Sequence, residues 1–123
     1  MKWEGQIAAI TGGGSGIGRA TAHLLAERGV QVAILDRNGE AGTHVANELQ
    51  SKGVRAVAAA VDVASLADVQ RAAAKIETEL GAPQILVHSA GIAGFEPFLD
   101  MTEASFDQMI AIHLKGAFNA IQT

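Results

Sequence analysis

Nearly unbroken apolar runs alternate with stretches of helical period along this chain, and that alternation leaves few ways to fold it. Gln6–Thr11 (QIAAIT) is almost continuously apolar, as a strand buried on both faces must be. The next segment sets Ile17, Ala20, Thr21, Leu24 and Leu25 on one helical face and has Gly29 to end it. Val30–Asp36 (VQVAILD) reads as a second buried strand. A helix from about 39 to 52 follows, with Ala41, Val45 and Leu49 one turn apart, an outward Glu48–Lys52 pair and Gly53 as its stop. VRAVAAAVDV, residues 54–63, is a third strand. Ser65 and Asp68 then form a capping-box pattern ahead of a helix carrying Leu66, Val69, Ala73, Ile76 and Leu80 up to Gly81. QILVHSAG, residues 84–91, is a fourth strand. A last helix from about 103 to the end carries Phe106, Ile110, Leu114, Ala117 and Ile121. Such β-α alternation with short connections predicts a parallel sheet with helices on both faces, built from right-handed crossovers. The expected fold class is therefore α/β: a doubly wound, Rossmann-type, three-layer α/β/α arrangement in a single domain over residues 1–123.

The bulk numbers agree with one globular domain. The chain has 123 residues, 49% of them hydrophobic, enough for one modest core and no second domain. A net charge of −4 argues against a nucleic-acid partner, which needs a basic face. With no Cys, disulfides and thiolate metal sites are excluded, no metal site is expected, and a reducing compartment is the natural setting. The N-terminus, Met1-Lys2-Trp3-Glu4-Gly5, lacks the apolar core of a secretory signal, and no apolar stretch approaches ~20 residues. A cytoplasmic location with no membrane contact is expected. The chain also contains no Tyr.

ITGGGSGIGRA, Ile10–Ala20, concentrates five glycines at the turn between the first strand and the first helix. In a doubly wound sheet that turn faces a dinucleotide pyrophosphate, and the helix N-terminus offers free N–H groups to an anion. Gly12 suits the tight exit from the strand. Gly16 lets backbone approach phosphate without a Cβ, and Gly18 permits close helix–strand packing. A glycine-rich turn alone is weak evidence, because any tight corner recruits glycine. Asp36 strengthens it: it ends the second strand about 20 residues on, where a carboxylate can bind both adenosine ribose hydroxyls. Asp36 could also cap the following helix.

The spacing Thr11-Gly12-x-x-x-Gly16-Ile17-Gly18 resembles that of the short-chain dehydrogenase/reductase family. Asp62-Val63 resembles the family's adenine-contacting Asp-Val pair, and His88-Ser89-Ala90-Gly91 its Asn-Asn-Ala-Gly. IHLKGAFN, residues 112–119, resembles the Asn-Leu-x-Gly stretch of the long helix through which many members dimerise. The resemblance implies that Gly12–Gly18 hold the pyrophosphate, with Ser15 and Ile17 adding hydroxyl and backbone contacts. It gives Asp36 the adenosine ribose, Asp62 and Val63 the adenine edge, and Ser89, Ala90 and Gly91 the nicotinamide-side ribose. NAD is then favoured over NADP, whose 2′-phosphate would face the Asp36 carboxylate, although Arg37 could pair with that phosphate or stack on adenine.

The resemblance also implies hydride transfer between nicotinamide and a hydroxyl or ketone carbon. A Tyr serves as acid/base, a Lys four residues later lowers its pKa, a Ser polarises the substrate oxygen and a helix Asn positions water. This chain reaches Thr123 before the family's Ser and Tyr-x-x-x-Lys, so no catalytic residue can be assigned and turnover is not expected. His113 stands at the helix Asn position, and a packed, hydrogen-bonded role is favoured over a His relay. His88 is expected to bond a neighbouring backbone. His23 and His44 lack convergent partners, and Ser15 and Ser89 lack an adjacent base. The loop Ile92–Met101, with Phe95, Pro97 and Phe98, could line an apolar pocket or cover the sheet.

The fourth strand should lie at an open edge. The chain is accordingly expected to pair with a second copy, through the last helix or that edge, or to be half of a longer polypeptide. Its expected function is to supply the NAD-binding half of an alcohol/ketone oxidoreductase. The alternatives are a non-catalytic NAD-binding module or inactive fragment and, against the motif spacing, a methyltransferase-like nucleotide-binding sheet.

Overall fold

Ala9 and Ile10 are neighbours in sequence but belong to different cores. That follows from the period of two along a strand whose sheet is covered on both sides. The computed structural model describes residues 2–92 and 96–123. Its elements are β1 (Ile7–Thr11), α1 (Gly16–Glu27), β2 (Gln31–Asp36), α2 (Gly39–Ser51), β3 (Ala56–Ala60), α3 (Leu66–Glu79) and β4 (Ile85–His88). A 3-10 turn (Phe98–Asp100) precedes α4 (Glu103–Met109), a π-helical segment (Ile110–Lys115) and α5 (Gly116–Gln122).

The four strands are parallel in the order β3-β2-β1-β4, with Ala9 opposite Ala33 on one side and Leu86 on the other. This is the α/β, Rossmann-like fold. One core joins Ile7, Ala9, Ala33 and Leu35 to Val69, Ala72 and Ile76 of α3 and to Ile112. The other joins Ile10, Val32 and Ile34 to Ala22 and Ala26 of α1 and to Val45, Ala46 and Leu49 of α2. β1 is buried throughout because it is central, whereas β4 has one neighbour and its Leu86 is half-exposed. The expected open edge is there.

Helix ends follow the local rules. Asn38, Ser65 and Thr102 cap α2, α3 and α4 with their side chains, and Gly29, Gly53 and Gly81 take positive φ just beyond the helices they end. The capping box is only half realised: Ser65 Oγ accepts from the Asp68 N–H, but Asp68 reaches back to the Asp62 N–H rather than to Ser65. Ser65 N–H already donates to the Asp62 carbonyl.

Helix faces depart from the periodicity. In α1 the buried face is Gly18, Ala22 and Ala26, while Ile17 and Leu24 are exposed. Small residues let the helix lie close to the sheet, and the larger ones turn outward. Glu48 does not pair with Lys52; it takes a two-point bond from Arg19 of α1, and Lys52 Nζ lies 3.2 Å from His23 Nδ1. His23 also lies 3.7 Å from Glu48, so it does have convergent partners. In the last helix Phe106, Ile110, Leu114 and Ile121 are exposed, and Ile112, Gly116 and Asn119 face inward. The π-helical turn takes up an extra residue, so the face reckoned at 3.6 residues per turn slips off the core.

Candidate functional site

β1 delivers Thr11 to the C-terminal edge of the sheet, and Gly12, at φ +65°, turns the chain there. The turn is tied to β2, because Gly12 N–H donates to the Leu35 carbonyl at 2.7 Å. It is pressed closely on the segment that follows β4: a Cβ on Gly12 would stand 2.7 Å from the Ala90 nitrogen. Gly18 is tighter still, since a Cβ would overlap the Gly12 carbonyl and lie 2.5 Å from Ser89 Oγ. Gly16 differs, with φ +53° and nothing within 4 Å of its missing Cβ. Gly12 and Gly18 thus serve packing, and Gly16 faces open space.

Ser15, the N-cap of α1, makes no side-chain cap bond, unlike the N-caps of α2, α3 and α4. The Gly16, Ile17 and Gly18 N–H groups make no hydrogen bond among the described residues. Uncommitted donors, the positive end of a helix and an uncrowded glycine are the features that accept a phosphate. The residues present therefore fit a pyrophosphate.

Asp36 ends β2 with both carboxylate oxygens engaged. Oδ2 accepts from Gly14 N–H and Oδ1 from Asn38 N–H, each at 2.9 Å. A carboxylate has about four lone-pair positions, so capacity remains for hydroxyl donors. The cap of α2 is Asn38, whose Oδ1 accepts from Ala41 N–H at 3.1 Å; Asp36 does not cap it. Arg37 is exposed and makes no ion pair among the described residues.

Past β3, Asp62 Oδ1 accepts from Ala64 N–H at 3.0 Å, and Val63 is buried. Just past β4, Ser89 Oγ donates to the Thr11 carbonyl at 2.9 Å and bonds no basic side chain among the described residues. Thr11 Oγ1 accepts from Ala90 N–H at 3.2 Å and lies 2.8 Å from His88 Nδ1. His88 thus meets a side-chain hydroxyl through Nδ1. Its Nε2 is buried without a hydrogen-bond partner. Burial lowers the His88 pKa; the His113 carbonyl on that side works against the shift, and the His113 ring adds to it.

His113 is hydrogen-bonded as expected but is exposed rather than packed in a core: its Nε2 lies 2.7 Å from the Ile92 carbonyl and 3.1 Å from the Ile92 nitrogen. Its ring covers Gly91, where a Cβ would overlap it. Pro97 and Phe98 are exposed and do not line the groove at the strand ends, and Phe95 lies outside the described residues.

Gly12, Ser15, Gly16, Ile17, Gly18, Asp36, Arg37, Asp62, Val63, Ser89, Ala90 and Gly91 all line one groove of about 650 Å³ along the C-terminal ends of the strands. Leu35, Val61, His88, Ile92 and Ile112 complete its wall. The sequence reading missed these, though most simply precede or follow the residues it chose. It also missed the roles of Thr11 and of Asn119, whose Nδ2 donates to the Val63 carbonyl at 2.8 Å from a fully buried position. Among the described residues no group of side chains could hold a metal ion, and no helix is long and apolar enough to cross a membrane.

Known proteins share this arrangement. The chain is 37% identical over 118 residues to a D-threitol dehydrogenase of Mycolicibacterium smegmatis, covering 96% of this chain and 45% of that protein. It is 36% identical over 122 residues to a sorbitol dehydrogenase of Cereibacter sphaeroides, covering 99% and 46%. The crystal structure of a 3-ketoacyl-(acyl-carrier-protein) reductase from Brucella melitensis, complexed with NADH, superimposes with a TM-score of 0.90 at 29% identity, covering 98% of this chain and 49% of that one. The chain spans about half the length of the relatives it matches. The sequence pattern of the short chain dehydrogenases matches residues 6–123, and the protein belongs to that family.

Proposed function

We propose that residues 1–123 form a dinucleotide-binding domain that takes NAD in preference to NADP and serves as the cofactor half of an oxidoreductase acting on a hydroxyl or ketone carbon. The observation that carries this reading is the uncapped N-terminus of α1 opening onto the groove while Asp36 stands at the end of the next strand. In it, the Gly16, Ile17 and Gly18 N–H groups and the Ser15 hydroxyl bind the pyrophosphate. The Asp36 carboxylate accepts from the adenosine ribose hydroxyls and repels a 2′-phosphate, while Arg37 lies against the adenine face. Asp62 and Val63 take the adenine edge, and Ser89, Ala90 and Gly91 the second ribose. The bound dinucleotide supplies hydride transfer, and the polypeptide orients it.

The relatives that oxidise D-threitol and sorbitol by name favour a polyol or similar alcohol as substrate. Alcohol oxidation also needs a group that takes the hydroxyl proton, and the family's Tyr has no counterpart among these 123 residues. The 123 residues by themselves are expected to bind NAD and to turn over no alcohol. A second copy packs on the exposed apolar stripe Phe106, Ile110, Leu114, Phe118 and Ile121 or on the open edge of β4. The cysteine-free composition suits a reducing, cytoplasmic setting.

Calorimetric titration of the chain with NAD and with NADP tests this. NAD binding with NADP at least about tenfold weaker is expected. Absence of binding by both would remove the reading.

A further inference from the structure

Asp62 meets the groove with half of its carboxylate uncommitted: Oδ1 accepts from Ala64 N–H, and Oδ2 makes no hydrogen bond among the described residues. The backbone that aims this carboxylate is held from α3. Asp68 Oδ2 accepts the Asp62 N–H at 3.1 Å, and Ser65 N–H donates to the Asp62 carbonyl at 2.9 Å. Asp68 is itself anchored twice, by its own N–H on Ser65 Oγ at 3.3 Å and by an ion pair of Oδ1 with Arg71. It sits in the first turn of α3, where the free N–H groups favour a negative charge. Asp68 lies outside the groove lining, so it can touch a ligand there only through Asp62.

We propose that Asp68 is the positioning residue for adenine recognition: by holding the Asp62 backbone it aims the free Asp62 oxygen at the amino edge of the base. This rests on the dinucleotide reading above. An ionised carboxylate only accepts hydrogen bonds, so it pairs with the exocyclic amine of adenine and opposes the carbonyl that hypoxanthine carries in its place. Selectivity between the two bases then depends on how firmly the carboxylate is held, because a site loosened by about 1 Å loses its geometry.

The test compares binding of NAD and of nicotinamide hypoxanthine dinucleotide to the full chain. The unaltered chain is expected to prefer NAD by about tenfold or more. Asp68→Ala should bring the two within about threefold, whereas Asp68→Asn, which keeps an acceptor for the Asp62 N–H, should retain the preference. Thr102→Ala serves as the structural control: it removes the side-chain cap of α4 and lowers Tm, yet touches neither Asp62 nor Asp68 and leaves the preference in place. An undiminished preference in Asp68→Ala, or loss of it in Thr102→Ala, overturns the proposal. An unaltered chain that binds NAD without preference overturns the role of Asp62 and this inference with it. One that binds neither dinucleotide overturns the proposed function as well.

Discussion

The Asp36 carboxylate holds the glycine turn from the neighbouring strand: its Oδ2 accepts the Gly14 N–H at 2.9 Å across 22 positions of sequence. One side chain therefore fixes the loop beneath the proposed pyrophosphate and offers acceptors to the proposed ribose. Asp36→Ala removes both. We expect at least a tenfold loss of NAD affinity, a smaller loss for NADP, and a preference ratio falling towards one, read by calorimetry with each dinucleotide. An unchanged ratio would dissociate Asp36 from cofactor choice.

The glycines of the turn should separate into two classes. Gly18→Ala drives a methyl group into the Gly12 carbonyl, and Gly14→Ala puts one 2.8 Å from Asp36 Oδ2 and 3.0 Å from the Ala41 Cβ. Both should cost about 1–3 kcal/mol of stability, seen as a lower urea midpoint. Gly16→Ala meets no atom and has only its positive φ to overcome, about 1–2 kcal/mol. Its larger effect should be on NAD affinity, because the methyl group projects into the groove where the phosphate is proposed to lie.

Asn119 is a buried amide whose Nδ2 satisfies the Val63 carbonyl at 2.8 Å. Asn119→Ala leaves that carbonyl without a partner and opens a small void between α5 and the segment around Val63. A loss of about 1–3 kcal/mol is expected in urea denaturation. Stability within error of the unaltered chain would mean that water replaces the bond.

His88 should make stability depend on acidity. Burial holds its pKa below the ordinary value of 6.5. As pH falls through 6.5 the unfolded chain takes up a proton that the folded chain refuses, so folding stability is lost on the acid side and is fully present above pH 6.5. The decline continues until the folded ring titrates. His88→Asn, which does not titrate, should show a shallower fall of Tm between pH 7.5 and pH 5. Parallel profiles would assign the acid sensitivity to other groups.

The order of elements, the parallel sheet, the helix stops at Gly29, Gly53 and Gly81, and the convergence of the site residues on the strand ends were all legible in the sequence. Each depends on local chemistry: apolar runs that only a doubly covered strand can bury, side chains that cap helices, and glycines where φ turns positive. Once the strands are parallel and singly connected, their C-terminal ends must share one edge, so residues that follow strands meet there.

Tertiary structure alone decided which helix faces are buried and which polar groups meet. Periodicity offered Ile17 and Leu24 to the core, yet Gly18, Ala22 and Ala26 took their place because the sheet is approached closely. The π-helical turn moved the inward face of the last helix to Ile112, Gly116 and Asn119. The Thr11–His88, Asn119–Val63 and Asp68–Asp62 bonds join separate elements. Strand register and helix placement set those distances, and no local pattern of residues encodes them.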